Sequence, residues 1–192
     1  MRLVIGISGA SGVIYGIRAL EVLKELGVET HLVVTAAAKE TIALETDRRV
    51  AEVEKLAMRS YRVQDSAALI SSGSFKTDGM VVIPCSMKTL GGIASGFDEN
   101  LLLRAASVTM KEKRPLVLVV RETPLTLIQI ENMARAARSG AIILPAMPAF
   151  YHKPKSIDDI VDHVVGKVLD VLNVSHNLYR RWEHPKGRAQ PG

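Results

Sequence analysis

Residues 3–16 read Leu-Val-Ile-Gly-Ile-Ser-Gly-Ala-Ser-Gly-Val-Ile-Tyr-Gly, a short apolar strand that runs into a turn of small residues and then into an amphipathic helix. Gly6, Gly9 and Gly12 remove Cβ atoms where the backbone must turn tightly and approach a ligand. Ser8 and Ser11 set hydroxyl donors beside the free N–H groups of the helix start. Such a junction suits an anion, a phosphate above all. A plain connecting turn would use the same residues, so the motif takes its weight from its surroundings.

The spacing excludes two relatives of this turn. Glycines at intervals of three match neither the G-x-G-x-x-G dinucleotide fingerprint nor a P-loop, which needs a Lys. A dinucleotide site also wants a carboxylate at the end of the second strand, and His31-Leu-Val-Val-Thr35 ends without one. A mononucleotide phosphate fits better than NAD.

Working outward, apolar runs at residues 2–8, 30–35, 79–84, 115–120 and 141–144 are short and rich in Val and Ile, with helical patterns between them. The alternation predicts a single-domain, doubly wound α/β fold, a mostly parallel sheet with helices on both faces. The last helix opens with a capping box, Ser156-Ile-Asp-Asp159, and puts Ile160, Val161, Val164, Val165, Val168 and Leu169 on one face. Residues 60–78 are less regular, and Ser71-Ser-Gly-Ser74 reads as a loop. One domain is expected over residues 1–183, with a flexible tail at 184–192 rich in Pro, Gly and basic residues.

With 192 residues, 47% of them hydrophobic, the chain can bury one sizeable core and falls short of two ordinary domains. It contains no apolar run of about 18 residues and opens without a signal-peptide pattern, so a cytoplasmic protein with no membrane partner is expected. The lone Cys85 has no internal partner for a disulfide, in keeping with a reducing compartment. A net charge of +5 suits anions, but aromatics make up only 4% of residues and none interleave with basic runs, which argues against nucleic acid. No compact His/Cys/carboxylate cluster suggests a metal.

In a sheet of this kind ligands bind at the carboxyl ends of the strands. There the sequence places Ser8-Gly-Ala-Ser11, Thr35, Pro84-Cys-Ser-Met-Lys-Thr89, Arg121-Glu-Thr-Pro124 and Pro145-Ala-Met-Pro-Ala-Phe-Tyr151. Each alone is ordinary loop punctuation; together they make one chemically rich edge.

These segments resemble the UbiX-type flavin prenyltransferases, within the wider group of flavin-containing cysteine decarboxylase-like proteins. The likeness rests on Gly-Ala-Ser-Gly at 9–12, Leu-Glu-Thr-Asp at 44–47, Ser-Ser-Gly-Ser at 71–74, Pro-Cys-Ser at 84–86 and Arg-Ala-Ala at 104–106. It continues through Lys-Glu-Lys-Arg-Pro-Leu-Val-Leu at 111–118, Arg-Glu-Thr-Pro at 121–124, Glu-Asn-Met at 131–133 and Pro-Ala-Phe-Tyr-His at 148–152. The resemblance implies a metal-independent transferase that moves a dimethylallyl group from dimethylallyl monophosphate to N5 and C6 of reduced FMN. The prenylated FMN would pass to a UbiD-type decarboxylase. It also implies a large homo-oligomer, a dodecamer in most relatives, with active sites at subunit junctions.

By the same resemblance Gly9, Ala10, Ser11, Thr35, Ser86, Met87, Lys88, Thr89 and Arg121 bind the flavin. Lys111, Tyr151 and Lys167 hold the leaving phosphate, Glu122 relays a proton, and Glu45 with Ser11 manages protons during ring closure. Arg104 joins the phosphate set and pairs with one of these carboxylates. Taken singly, each has a duller reading as a helix cap, surface charge or packed ring. The chain departs from the family where Lys167 stands in place of an expected Arg, keeping the charge but losing the bidentate fork. It also lacks an aromatic just before Ser71 that could shield an allyl cation. Cys85 reads as a small core residue with no chemistry, and Trp182 as a packing residue. Two rivals share much of the pattern: a flavin-dependent cysteine decarboxylase, and a non-catalytic FMN-binding subunit of an aromatic-acid decarboxylase.

Overall fold

Six strands form one parallel sheet in the computed structural model, which describes residues 1–182. They are β1 (Arg2–Ile7), β2 (Glu29–Val34), β3 (Arg59–Tyr61), β4 (Gly79–Cys85), β5 (Leu116–Val120) and β6 (Ala141–Ile143), in the spatial order β3-β2-β1-β4-β5-β6. The helices are α1 (Val13–Glu25), α2 (Ala36–Glu45), α3 (Val50–Glu54), α4 (Met87–Ser95), α5 (Leu101–Lys111), α6 (Leu127–Arg138) and α7 (Ile157–Val171). The expected doubly wound α/β architecture is what the chain adopts. The chain forms two compact units, Met1–Ala146 and a second that begins at Met147. The tail expected at 184–192 lies outside the described residues.

Strand order follows from burial. β1, β4 and β5 are almost wholly apolar and lie in the middle of the sheet, where both faces are covered. Adjacent residues on β1 point to opposite faces, and each face has its own helix. A Cβ on Gly6 would meet Leu102 of α5 at 3.0 Å, whereas Gly16 of α1 lies against Ile7 and the Ile83 carbonyl. Helices therefore cover both sides. One core cluster joins Val4, Val33, Met80, Val82 and Leu118 to Leu90, Ile93, Leu102 and Ala136 of α4, α5 and α6. Each fully buried Leu, Ile or Met there contributes about 1.5–3 kcal/mol of transfer free energy.

The sheet has one strand more than the sequence reading predicts. β3 is three residues long and lies at the edge, and only Tyr61 among its residues is buried. So short a segment carries no readable period, which is why residues 60–78 look irregular. A single 3-10 turn, Leu69–Ser71, opens the predicted Ser71–Ser74 loop.

In the second unit the capping box forms as predicted. Ser156 Oγ accepts from the Asp159 N–H at 3.1 Å while Asp159 Oδ2 accepts from the Ser156 N–H at 3.1 Å. The carboxylate of Asp170 then gathers the segment after α7, accepting from His176, Tyr179 and Arg181. Burial pushes the Asp170 carboxyl up, but these hydrogen bonds outweigh it and hold the group well below the usual range.

Candidate functional site

The strand order reverses between β1 and β4, and the crevice that such a reversal opens lies at the carboxyl ends of the strands. A cleft of about 530 Å3 is found there. It brings together Gly9, Thr35, Ser86, Met87, Lys88, Thr89 and Glu122 of the predicted set. Ala36, Ala37, Val63, Gln64, Glu99, Asn100 and Leu103 complete the lining. Gln64 and Val63 follow the strand that the sequence hid. Asn100 carried a signal: it is the N-cap of α5, its Oδ1 accepting from the Leu103 N–H at 3.1 Å.

Two helix starts supply the donors. The Thr35 hydroxyl accepts from the Ala38 N–H at 3.2 Å and the Ser86 hydroxyl from the Thr89 N–H at 3.3 Å, so both residues are N-caps as well as cleft residues. Ala36, Ala37, Met87 and Lys88, the first residues of α2 and α4, line the same space. Helix N-termini favour anions through their unpaired N–H groups and dipoles. The Lys88 side chain is 86% exposed and reaches Glu99 at 3.9 Å across the lining.

The glycine turn serves this cleft differently from the sequence expectation. Gly9 is obligatory because a Cβ there would fall 2.4 Å from Ala37 Cβ. Ser8 offers no donor to a ligand. It is wholly buried, its Oγ donates to the Pro84 carbonyl at 2.9 Å and accepts from the Ser86 N–H at 2.8 Å. Ser8 therefore fastens the turn after β1 to the end of β4. Ala10 is buried and its N–H closes the turn on the Ser8 carbonyl at 2.8 Å, while Ser11 is exposed beyond it. The start of α1 already holds an anion, the Glu45 carboxylate, which accepts from the N–H groups of Gly12 and Val13.

Arg121 stands directly after β5, its backbone N–H on the Cys85 carbonyl at 3.3 Å. Its side-chain Nε is buried and has no hydrogen-bond partner. A buried guanidinium donor left open is costly, so a ligand acceptor beside it would be strongly held.

Arg104 and Lys111 do not join this group. Arg104 pairs with Asp98 at 3.0 Å and donates to the Ser71 carbonyl at 3.1 Å, where a partnership with Glu45 or Glu122 was expected. It lines a neighbouring cavity of about 390 Å3. Lys111 ends α5, eight residues and hence about 12 Å of helix beyond Leu103. There its ammonium pairs with Glu112 beside Gly73, in the stretch leading into the amino end of β4. A single copy of the chain does not bring Lys111 to Glu122. In the second unit, Lys167 is 3.5 Å from Asp170, and the half-exposed Tyr151 ring meets Trp182 edge-on at 5.4 Å.

No helix among the described residues is long and apolar enough to cross a membrane. Cys85 is fully buried, and that burial pushes its thiol up to about 12.

Comparison with known proteins agrees with this geometry. Residues 1–169 match the model of the Flavoprotein family. The chain is 54% identical over 183 residues to a probable UbiX-like flavin prenyltransferase of Streptomyces sp. (strain D7), covering 95% of this chain and 92% of that one. It is 52% identical over 185 residues to the flavin prenyltransferase UbiX of Escherichia coli (strain K12), covering 95% and 98%. Among solved structures, a dodecameric FMN-dependent UbiX-like decarboxylase from Escherichia coli O157:H7 superimposes with a TM-score of 0.94 at 51% identity, covering 96% of this chain and all of that one. AnUbiX (PadA1) in complex with FMN and dimethylallyl pyrophosphate gives 0.94 at 48% identity, covering 95% and 97%. The peptidyl-cysteine decarboxylase EpiD shares the fold alone, at 17% identity and a TM-score of 0.62.

Proposed function

The chain belongs to the Flavoprotein family and, within it, to the UbiX-type flavin prenyltransferases, and on that footing we propose that it transfers a dimethylallyl group from dimethylallyl monophosphate to reduced FMN. The product, prenylated FMN, is handed to a UbiD-type decarboxylase. The observation that carries this reading is the cleft in which Glu122 shares one space with the starts of α2 and α4. The fit to FMN rests on the unpartnered buried Nε of Arg121, while Gly9 lets the turn close against Ala37 in the cleft wall.

In this reading the first turns of α2 and α4, with Thr35, Ser86 and Thr89, hold the flavin phosphate, and Lys88 adds charge at the rim. Arg121 donates to the flavin ring. Reduced FMN, when bound, supplies the nucleophilic N5 and C6 atoms. The chain's own residues manage charge and protons. As the allylic C–O bond breaks, negative charge builds on the departing phosphate, and Lys111, Arg104, Tyr151 and Lys167 stabilise it. Glu122 carries the proton, and Glu45 with Ser11 moves protons as the ring closes.

Lys111 reaches such a site from another copy. Its place at the far end of α5 from the cleft supports that reading, in which a homo-oligomer, a dodecamer as in the Escherichia coli relative, shares its active sites between subunits.

Incubation of the protein with FMN, a reductant and dimethylallyl monophosphate without oxygen should yield a flavin whose mass rises by one dimethylallyl unit. No such mass would sink the proposal and return the field to a cysteine decarboxylase or a passive FMN carrier. Mixing inactive Lys111→Ala with inactive Glu122→Gln should restore part of the activity, because some junctions then hold one intact set. Absence of any restoration would place both residues in one subunit's site.

A further inference from the structure

His152 follows Tyr151, and both of its ring nitrogens, Nδ1 and Nε2, are buried without a hydrogen-bond partner. An imidazole always carries at least one N–H, so at least one donor is left open where water does not reach it. Such a group is expensive to leave unsatisfied, and its persistence asks for an acceptor from outside the chain.

The surroundings define what that acceptor is. The His152 ring lies flat against His163 of α7, centroids 4.9 Å apart and planes within 3°. Tyr151 meets both imidazoles edge-on, at 5.7 and 6.0 Å. Lys167 lies one turn beyond His163 on the same helix; burial above all, then His152 and Lys167 as positive neighbours, disfavour a charged His163, and Asp170 only partly offsets them. Two carboxylates of this unit, Asp159 and Asp170, are already engaged. Asp159 accepts from the N–H groups of Lys155 and Ser156, and Asp170 from His176, Tyr179 and Arg181. The cluster therefore combines a buried N–H, a phenol and an ammonium, while Asp159 and Asp170 are held by other donors. That set of donors matches a phosphate oxygen.

We propose that His152 is a direct ligand of the leaving phosphate, donating its ring N–H to a phosphate oxygen beside the Tyr151 hydroxyl and the Lys167 ammonium. This rests on the reading of Tyr151 and Lys167 as phosphate-binding residues given above. The stack on His163 fixes the plane of the ring, so the donor is aimed before the ligand arrives. As the C–O bond lengthens, the phosphate oxygens gain charge and the hydrogen bond strengthens, which assists departure.

The test uses the full-length, FMN-loaded protein and two probes, inorganic phosphate and dimethylallyl monophosphate, titrated calorimetrically. His152→Phe keeps a flat ring for the stack and removes the N–H; it should weaken both probes by about tenfold, and His152→Asn should recover part of the loss. In parallel, the 15N resonances of His152 in the wild-type protein should move on addition of inorganic phosphate, a readout that stands even where His152→Phe fails to fold. Unchanged affinity in a folded His152→Phe protein, or unmoved His152 resonances at saturating phosphate, would overturn the proposal. Tyr151→Phe and Lys167→Ala separate the two layers of argument. If they weaken phosphate while His152 does not, only this inference falls; if neither matters, the phosphate reading falls with it.

Discussion

The Glu45 carboxylate accepts a hydrogen bond from the Gly12 N–H at 2.8 Å, and a second from Val13 at 3.3 Å. The last residue of α2 thus caps the first turn of α1, placing a negative charge where the helix dipole favours one. Gly12 makes the contact feasible, because the turn holds it at φ 94°, a left-handed conformation that suits glycine. The anion position at α1 is filled from within the chain, whereas the starts of α2 and α4 face the cleft.

Removing that cap has a separable effect. Glu45→Ala should cost about 1 kcal/mol of stability, a fall of about 2–4 °C in Tm, measured by calorimetry. Glu45→Gln retains one acceptor oxygen and should recover most of that stability. If Glu45→Gln stays stable yet loses prenyl transfer, the carboxylate has a proton role beyond the cap; if activity follows stability in both variants, capping is its whole function.

Gly9→Ala should empty the cleft of ligand. The new methyl would overlap Ala37 Cβ, so α2 must shift, at about 1–3 kcal/mol. FMN binding, followed by flavin fluorescence, should fall by more than tenfold. The double variant with Ala37→Gly relieves the clash and should restore binding, a recovery that a generic loss of stability would not show.

Arg121→Met removes a buried, unpartnered donor. The apo protein should be as stable as wild type or more so, while FMN affinity falls by about tenfold or more. Equilibrium urea unfolding with and without FMN measures both; a variant that loses apo stability would show that Arg121 supports the fold.

Acid weakens the corner where β1 meets β2. The Glu29 carboxyl is held at about 2, from an ordinary 4.5, chiefly by the hydrogen bond from Arg2 and next by that from His31, against the effect of desolvation. The folded protein thus binds this proton less readily than the unfolded chain. The stabilisation is complete above pH 4.5 and is lost as pH falls toward 2. Urea midpoints should show Glu29→Gln less stable than wild type at pH 7, with the gap narrowing below pH 4.5 and closing toward pH 2. A constant gap would mean that the pair is not ionic.

Cys85 should be inert. Its burial and raised thiol pKa leave almost no thiolate at pH 8, so an aromatic disulfide reagent should react only after denaturation. Cys85→Ala should retain prenyl transfer. Rapid labelling of the native protein would show that β4 opens at its carboxyl end.

The architecture was legible because parallel strands buried on both faces must be continuous apolar runs, and β1, β2, β4, β5 and β6 all announce themselves so. β3 did not, since three edge residues hold no period. Thr35, Ser86, Thr89 and Glu122 were legible as cleft residues because chemistry gathers at the carboxyl ends of such strands. Ser8 was misjudged as a donor because its partners, Pro84 and Ser86, lie more than seventy residues away, and no local pattern tells a ligand's hydroxyl from a fastening one.

The amino-acid sequence by itself determined the alternation of strand and helix, the small-residue turn, the helix caps and the family, all of which depend on near neighbours or on matched segments. Tertiary structure alone decided which charges were free to act. It gave Arg104 to Asp98, set Lys111 at the end of α5 away from the cleft, spent Glu45 on the start of α1, and left Arg121 and His152 with open donors. The physical reason is that a charge's partner is chosen by distance through space and by the cost of burial, and neither quantity is written in the order of residues along the chain.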